Sequence, residues 1–343
     1  MAKNRLTHPI SLIFGAILLD LAIGDPRPLP HPVEVMGLII NNLRRVVENL
    51  ARNNHLGLRI GGSFITFVIF SITILIGWIT EQYLLYRLSL PPFISSTILI
   101  FFLASSLAAK SLSKSILKVI DNLNNQSSEQ RIEKARKELS QIVGRDVSLL
   151  NEKEILRATA ETASENGVDG VFAPLFWMGI GVFSWQVLSP SLPGPLALAL
   201  GFKASSTMDS MLGYKKGTLK WLGTASARLD DLLTFIPCRL VVITLPLVTK
   251  KWKDTPYLIR HAIKDGSKDL SPNSGLSEAI FAYCTEIKMG GENIYKGETI
   301  TKPILAGNCS EADQKGILKI LNLIIRLEIL WLFLIGFISL ILK

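Results

Sequence analysis

Cysteine and histidine are scarce in this chain. Cys238, Cys284 and Cys309 are odd in number and far apart, and no CxxC pair occurs. That leaves no basis for a disulfide framework or a cysteine zinc site. The four histidines, His8, His31, His55 and His261, form no HxxxH cluster. HExxH and GxSxG are absent, so zincin and nucleophile-elbow chemistry fall away. There is no GxxxxGK[ST] loop: Gly213-Tyr214-Lys215-Lys216-Gly217-Thr218 is too short and wrongly ordered, and Gly179-x-Gly181 lies inside an apolar run. No basic run interleaves with aromatics, which sets nucleic acid aside. Internal repeats and low-complexity tracts are also missing.

What the chain has in abundance is apolar sequence. It is 343 residues long and 48% hydrophobic, with 19% charged residues and a mean hydropathy of +0.36. The charge is segregated between long apolar runs, the pattern of a polytopic membrane protein. A net charge of +9 then reports cytoplasmic loops and anionic lipid. Ala22-Ile23-Gly24 faintly resembles a signal-peptidase site, but Asp20 interrupts the preceding run and the segment reads as uncleaved.

The expected architecture is all-α: an integral membrane helical bundle with cytoplasmic helical and loop blocks between spans, in one membrane-embedded domain over 1–343. Spans are predicted at about 10–24, 60–79, 90–109, 171–188 and 319–342, with a short return at 196–204. Residues 33–56 read as an interfacial amphipathic helix. The segment 232–248 contains Pro237, Arg239 and Pro246 and is read as re-entrant or buried, because a lone mid-bilayer Arg is costly unless paired. Asp230 and Asp231 lie about two helical turns before Arg239, too far for contact within one helix, so Glu165, Asp169 or a substrate phosphate is its expected partner. Polar block 110–166 is predicted to hold helices over 111–123 and 129–143, with a Ser127/Gln130 capping box on the second. A third helix is capped by Asn151 with Glu154 and stops at Gly167.

Chemistry concentrates in the polar blocks. Glu154, Glu161 and Glu165 recur at offsets of seven and four and share a helix face, a like-charge stripe that wants a cation. Lys153 and Arg157 are the local neutralisers in the alternative reading of a solvated face. Directly downstream, Ser164-Glu165-Asn166-Gly167-Val168-Asp169-Gly170 sits at the mouth of an apolar run. Asp25, Arg27 and His31 are presented on a stiff Pro-rich turn from Pro26 to Pro32. Carboxylates on flexible turns suit Mg²⁺, and Lys215, Lys216, Arg228 and Arg239 suit phosphate or carboxylate. The set points to phosphate-linked chemistry or amide formation, not redox.

Six motifs in order then carry a resemblance. They are Gly24-Asp25-Pro26 to His31-Pro32; Ser164 to Gly170 with Ala173-Pro174-Leu175-Phe176-Trp177; Thr207-Met208-Asp209-Ser210-Met211-Leu212-Gly213-Tyr214-Lys215; Ser226-Ala227-Arg228-Leu229-Asp230-Asp231; Ser271-Pro272-Asn273; and Gly290-Gly291-x-Asn293-x-Tyr295-x-Gly297. This resembles the adenosylcobinamide-phosphate synthase family of cobalamin biosynthesis over residues 19–298. The resemblance implies an inner-membrane enzyme with its active side cytoplasmic. Its substrates would be adenosylcobyric acid, aminopropanol or its O-phosphate, and ATP with Mg²⁺; its product is an amide. Membrane lipid and other cobalamin-assembly enzymes are the implied partners. Members often have His just before Ser-Pro-Asn and Trp-Pro-Glu-Ala after it, where this chain reads Lys268-Asp269-Leu270 and Leu276-Ser277-Glu278-Ala279.

On this reading Glu165, Asp169, Asp209, Asp230 and Asp231 are catalytic candidates, with Glu165, Asp230 and Asp231 as Mg²⁺ ligands. Asp25, Arg27, His31, Asn166, Lys215, Arg228, Arg239, Asn273, Asn293 and Tyr295 are binding candidates. A transporter of a corrinoid or other anionic solute is the alternative; it would explain Arg239 and the broken helices, but predicts repeat-like halves that are not seen.

Overall fold

The computed structural model describes residues 9–24, 32–52, 54–88, 90–125, 130–214, 216–295 and 298–342, with backbone alone for Ile294, Tyr295, Glu298 and Thr299. The helices in chain order are α1 (Ile10–Ile23), α2 (Pro32–Ala51), α3 (His55–Gln82), α4 (Pro92–Ala104), α5 (Ala109–Asn124), α6 (Arg131–Leu139), α7 (Glu152–Gly167), α8 (Ala173–Val187), α9 (Pro195–Leu212), α10 (Leu219–Leu222), α11 (Thr224–Thr244), α12 (Thr255–Gly266), α13 (Ser274–Thr285) and α14 (Gln314–Ile341). Strands β1 (Ile287–Tyr295), β2 (Glu298–Leu305) and β3 (Ser310–Glu311) stand between α13 and α14. The protein is thus an all-α polytopic membrane protein with one small sheet. Among the described residues five helical stretches are long and apolar enough to cross a bilayer: His55–Arg87, Pro92–Asn124, Glu152–Val187, Thr224–Val248 and Gln314–Ile341. The shorter Ile10–Ile23 is also apolar.

Several boundaries depart from the sequence expectation. The helix predicted at 60–79 starts at His55, where the Asn54 side chain accepts from Leu56 and Gly57 N–H, and it runs on through a π turn at Tyr83–Arg87. Glu81, expected in a connecting loop, is therefore inside the helix. Gly167 does not stop α7: a π turn at Val168–Phe172 carries the chain into α8. The return after the Pro-rich break is not a short piece ending near 204 but the 18 residues of α9, about 27 Å at 1.5 Å per residue. The segment expected at 232–248 begins at Thr224, so Asp230 and Asp231 lie on a helix, not a turn. Pro237 is tolerated inside it. The helix expected over 129–143 is confined to Arg131–Leu139, and its proposed Ser127 cap lies outside the described residues.

The chain divides into two compact units, each discontinuous in sequence. The first comprises 1–108, 173–234 and 332–343. In it α9 packs on α3 and α8, and Ile40, Leu58, Ile65, Met208, Leu212 and Leu222 form a buried cluster. Its polar keystone is Glu81, which is fully buried. The carboxylate accepts from the backbone N–H of Gly194 (2.8 Å), Leu196 (2.6 Å) and Ala197 (3.3 Å) at the start of α9. A helix N-terminus offers unpaired donors and positive potential, and an anion there satisfies both. The same Pro-rich turn is held by Trp78 and Gln82, which donate to Ser191 and Pro190 carbonyls at 2.8 Å each, and by Trp185, which donates to the Leu192 carbonyl.

The second unit comprises 109–172 and 235–331. It packs α5 on α6 and α7, and α13 on α12, α7 and the β hairpin. Strand β1 pairs antiparallel with β2, with a bulge between Met289 and Gly291, and its start pairs parallel with β3. Sequence reading expected helix throughout here. The run Thr299-Ile300-Thr301 has β character, but it is too short to outweigh a helical default drawn from the rest of the chain.

Glu81→Ala strips the donors of α9 of their acceptor and should cost about 2–4 kcal/mol. Glu81→Gln keeps an acceptor and should cost less. Denaturant titration in mixed micelles measures both; equal loss in the two variants would mean that a neutral acceptor contributes nothing there and the charge alone holds the helix start.

Candidate active site

Two elements of the second unit, α7 and the Gly-Gly-x-Asn strand, meet at one buried carboxylate, Glu161. Helix α7 starts as the sequence predicts: the Asn151 side chain accepts from Glu154 N–H while the Glu154 side chain accepts from Asn151 N–H. Glu154 is thus occupied as a cap. Glu161, two turns on, is buried and bound to Arg145 (Nη2 to Oε2, 2.7 Å), with Arg157 Nε at 3.8 Å from Oε1. Oε1 also accepts the Gly290 N–H at 2.8 Å. So the cation that the acidic stripe wanted is Arg145 as much as Arg157, and the strand bearing Gly-Gly-x-Asn docks on it. Arg157 completes the dock by donating to the Gly290 and Glu292 carbonyls, at 2.6 Å each, and to Asn293 Oδ1 at 3.3 Å. The two glycines are required by conformation and space. Their φ values are +85° and +102°, and a Cβ on Gly291 would lie 2.6 Å from Arg157 Nη1.

Glu278 sits at the centre of α13 and is fully buried. Lys302 Nζ from β2 donates to its Oε1 at 2.8 Å. Lys302 pairs in register with Gly291 and Asn293 with Ile300, which sets Asn293 and Lys302 one diagonal step apart on the same face of the hairpin. Among the described residues four buried polar atoms of these side chains lack a hydrogen-bond partner: Glu278 Oε2, Asn293 Nδ2 and the Nε atoms of Arg145 and Arg157. Glu165, half-buried on α7, is close enough to act electrostatically on both Glu278 and Lys302. Burial pushes the Glu278 carboxyl up, to about 8; Lys302 opposes the rise, and Glu161 and Glu165 reinforce it. For Lys302, burial disfavours the ammonium, but Glu278 and then Glu165 outweigh it and hold the pKa above its ordinary range. Surrounded by carboxylates, Lys302 keeps its proton, and Glu278 is the group that titrates near neutrality.

A second group of motif residues meets at Arg239. Its guanidinium donates to the Asn273 side chain (3.0 Å) and to the Phe235 (2.8 Å) and Pro272 (3.2 Å) carbonyls, and it stacks over Phe235. Cys238 Sγ donates to the Asn273 carbonyl, and Asp169 in the π turn lies within electrostatic reach of that thiol. Arg239 is paired, as expected, and by a distant part of the sequence. The partner is the Ser-Pro-Asn turn, a neutral amide and carbonyls, where a carboxylate or phosphate was expected.

Glu165, Asn166, Asp169, Arg239, Asn273 and Asn293 therefore belong to the second unit. Asp209 on α9 and Arg228, Asp230 and Asp231 on α11 belong to the first, where Arg228 is exposed and the three aspartates are half-buried. Asp25, Arg27, His31 and Lys215 lie outside the described residues, and the Tyr295 side chain is not described. Among the described residues no three His, Cys, Asp or Glu side chains are grouped to hold a metal. Sequence reading missed Arg145, Glu278 and Lys302 as site residues. Glu278 had a signal, being the lone carboxylate in the apolar run from Leu276 to Phe281; Lys302 had none, since its pairing depends on the hairpin.

A carboxyl raised above its unfolded value stabilises the fold in its protonated form. That contribution is complete below about 4.5 and is lost as pH rises through about 8. Glu278→Gln cannot titrate and should flatten the fall of Tm with pH across this window. An unchanged slope would assign the titration to another group.

Comparison with known proteins agrees with the motif order. The sequence profile of the family described as CobD/Cbib protein matches residues 13–324. "Cobalamin biosynthesis protein CobD" of Synechocystis sp. is 39% identical over 296 residues, 86% of this chain and 82% of the relative. The protein of the same description from Clostridium acetobutylicum is 36% identical over 321 residues, 93% of this chain and 95% of the relative. That of Geobacter metallireducens is 35% identical over 312 residues, 90% of each chain. No solved structure matches. Similarity of this extent, running through the α7 motif, the Ser-Pro-Asn turn and the Gly-Gly-x-Asn strand, means that the chain belongs to the CobD/Cbib protein family.

Proposed function

We propose that, within cobalamin biosynthesis, this chain joins adenosylcobyric acid to aminopropanol or its O-phosphate in an amide bond at the expense of ATP. The observation that supports this reading is the cluster of Glu161, Glu165 and Glu278 with Arg145, Arg157 and Lys302, where Glu278 Oε2 and Asn293 Nδ2 have no hydrogen-bond partner among the described residues. Buried polar atoms are nearly always hydrogen-bonded, so an unmatched acceptor and donor at one place point to a ligand. When Glu278 holds its proton, the three cations exceed the remaining carboxylates by one. The cluster then suits an anionic group such as the corrinoid carboxylate.

The chemistry needs that carboxylate activated. Its oxygen attacks the terminal phosphorus of ATP, forming an acyl phosphate and releasing ADP. The amine nitrogen then adds to the carbonyl carbon, the C–O bond to phosphate breaks, and one N–H proton must leave. Glu278, titrating near the working pH when deprotonated, is suited to take it. Lys302 and Arg157 would oppose the charge that builds on the carbonyl and phosphoryl oxygens. The Asn293 amide would orient the corrinoid acid or one of its side-chain amides.

Mg²⁺ is usually held by one or two carboxylates together with substrate phosphates, and the donor set here fits that use and not a protein-enclosed cage. Glu165 would hold it, since it is half-buried and only its backbone carbonyl, bound by the Val168 N–H, is engaged in the α7 cap; Asp230 and Asp231 are the carboxylate pair of the first unit. When bound, the ion would neutralise nucleotide oxygens. An inner-membrane location with the active side cytoplasmic follows from the substrates.

Purified protein with adenosylcobyric acid, ATP, Mg²⁺ and each amine should yield a corrinoid heavier by the amine less water, detected by mass spectrometry. No product with either amine would reject the reading. Glu278→Gln should lower kcat by about 10²–10⁴-fold with KM little changed, and should remove the acidic limb of the pH profile. A variant that merely unfolds would instead lose active fraction without altering the pH profile of what remains.

A further inference from the structure

A second polar place in the second unit takes no part in the cluster above. It is a cavity of about 640 Å³ where the end of the α11 stretch, the C-terminus of α13 and the first half of α14 come together. That volume is within the usual range for small-molecule sites. Its lining is dominated by cations: Lys250, Lys251, Lys315, Lys319 and Arg326, against the single carboxylate of Glu286.

Three observations make this more than a cationic helix end. On α14, Lys315, Lys319 and Arg326 are spaced by four and seven residues, so they project from one face. They extend about 16 Å along the axis at 1.5 Å per residue. Like charges stacked in this way repel unless an anion lies between them. Glu286 cannot supply enough counter-charge, because it is bound at 2.6 Å to Lys251; that bond lowers the Glu286 carboxyl below its usual range. Lys250, Lys315 and Arg326 enter no ion pair among the described residues. Glu286 also holds a left-handed backbone at φ 61°, an uncommon conformation for a residue with a side chain. It is the C-cap of α13, and its carboxylate lines the cavity.

Arg326 decides the matter. It stands three turns inside Gln314–Ile341, a helix apolar enough to span a bilayer. A cation within an apolar span is expensive unless it faces a polar cavity or an anion; Arg326 is exposed and lines this cavity. Lysines at the polar ends of two spans would satisfy the positive-inside tendency alone, but an arginine seven residues further into the apolar run than Lys319 does not follow from it. We infer that this cavity binds a phosphate-bearing anion, seated between Lys315, Lys319 and Arg326. A soluble phosphate compound of nucleotide size and the headgroup of an anionic lipid share this chemistry. The inference does not rest on the amide-forming reading.

The test uses the full chain in a neutral detergent and in lipid nanodiscs, at constant ionic strength, with inorganic pyrophosphate as the probe. Titration calorimetry should show saturable binding in detergent. Lys319→Gln and Arg326→Gln should each weaken it by about tenfold, the scale of one charge-assisted hydrogen bond. Arg326→Lys should restore part of the loss, whereas Glu286→Gln, which frees Lys251, should tighten binding. In nanodiscs, binding that is equal in phosphatidylcholine and phosphatidylglycerol identifies a soluble phosphate as the occupant. Binding abolished by phosphatidylglycerol alone identifies the lipid headgroup. Absence of saturable binding in detergent and in phosphatidylcholine discs, or affinity unchanged in a folded Lys319→Gln/Arg326→Gln double variant, would overturn the proposal.

Discussion

The second unit depends on one buried carboxylate. Glu161 accepts from an arginine of the preceding loop and from a strand N–H that lies 129 residues further along the chain. Removing either partner would leave a charge in a place without water, which costs far more than a surface pair contributes. The bond to Gly290 fixes where β1 starts on α7, Arg157 fixes its direction through two carbonyls, and β1 then sets the register of β2. Register in turn puts Lys302 opposite Gly291 and within reach of Glu278. The charge cluster is therefore a consequence of one docking event.

This ordering explains what could be read from sequence. The α7 start was legible because capping is local: Asn151 and Glu154 are three residues apart and need nothing else. The acidic stripe was legible as a helical face, but its principal cation was not, since Arg145 lies in a loop whose path depends on packing. The need of Arg239 for a partner could be argued from the cost of a buried charge. The identity of the partner could not, because nothing local distinguishes Asn273 from a carboxylate. The motif order led to the family, and the profile match and relatives agree with it.

The misplaced boundaries share a cause. Gly167 was read as a stop because glycine commonly ends helices. In this chain it is buried, and the next residues continue in a π turn. Such turns insert one residue into a helix and are frequent at functional sites. This one carries Asp169 and Gly170 out of the α7 motif. The hairpin escaped notice for a related reason, since Gly290 and Gly291 look like a loop until the Pro303 carbonyl and Arg157 are seen to take the space a side chain would need.

The Glu81 arrangement also bears on how the protein is made. The carboxylate is synthesised 113 residues before its first donor and 115 before its second. At 5–20 residues per second that gap lasts roughly 6–23 seconds. Through this interval α3 contains a carboxyl near its end with none of its native donors, and it gains by keeping that end near water. Only when the Gly194–Ala197 turn emerges can the segment settle to its final depth. Insertion of the first long span is thus completed by a piece of chain not yet translated when insertion begins, and the ribosome sets the schedule.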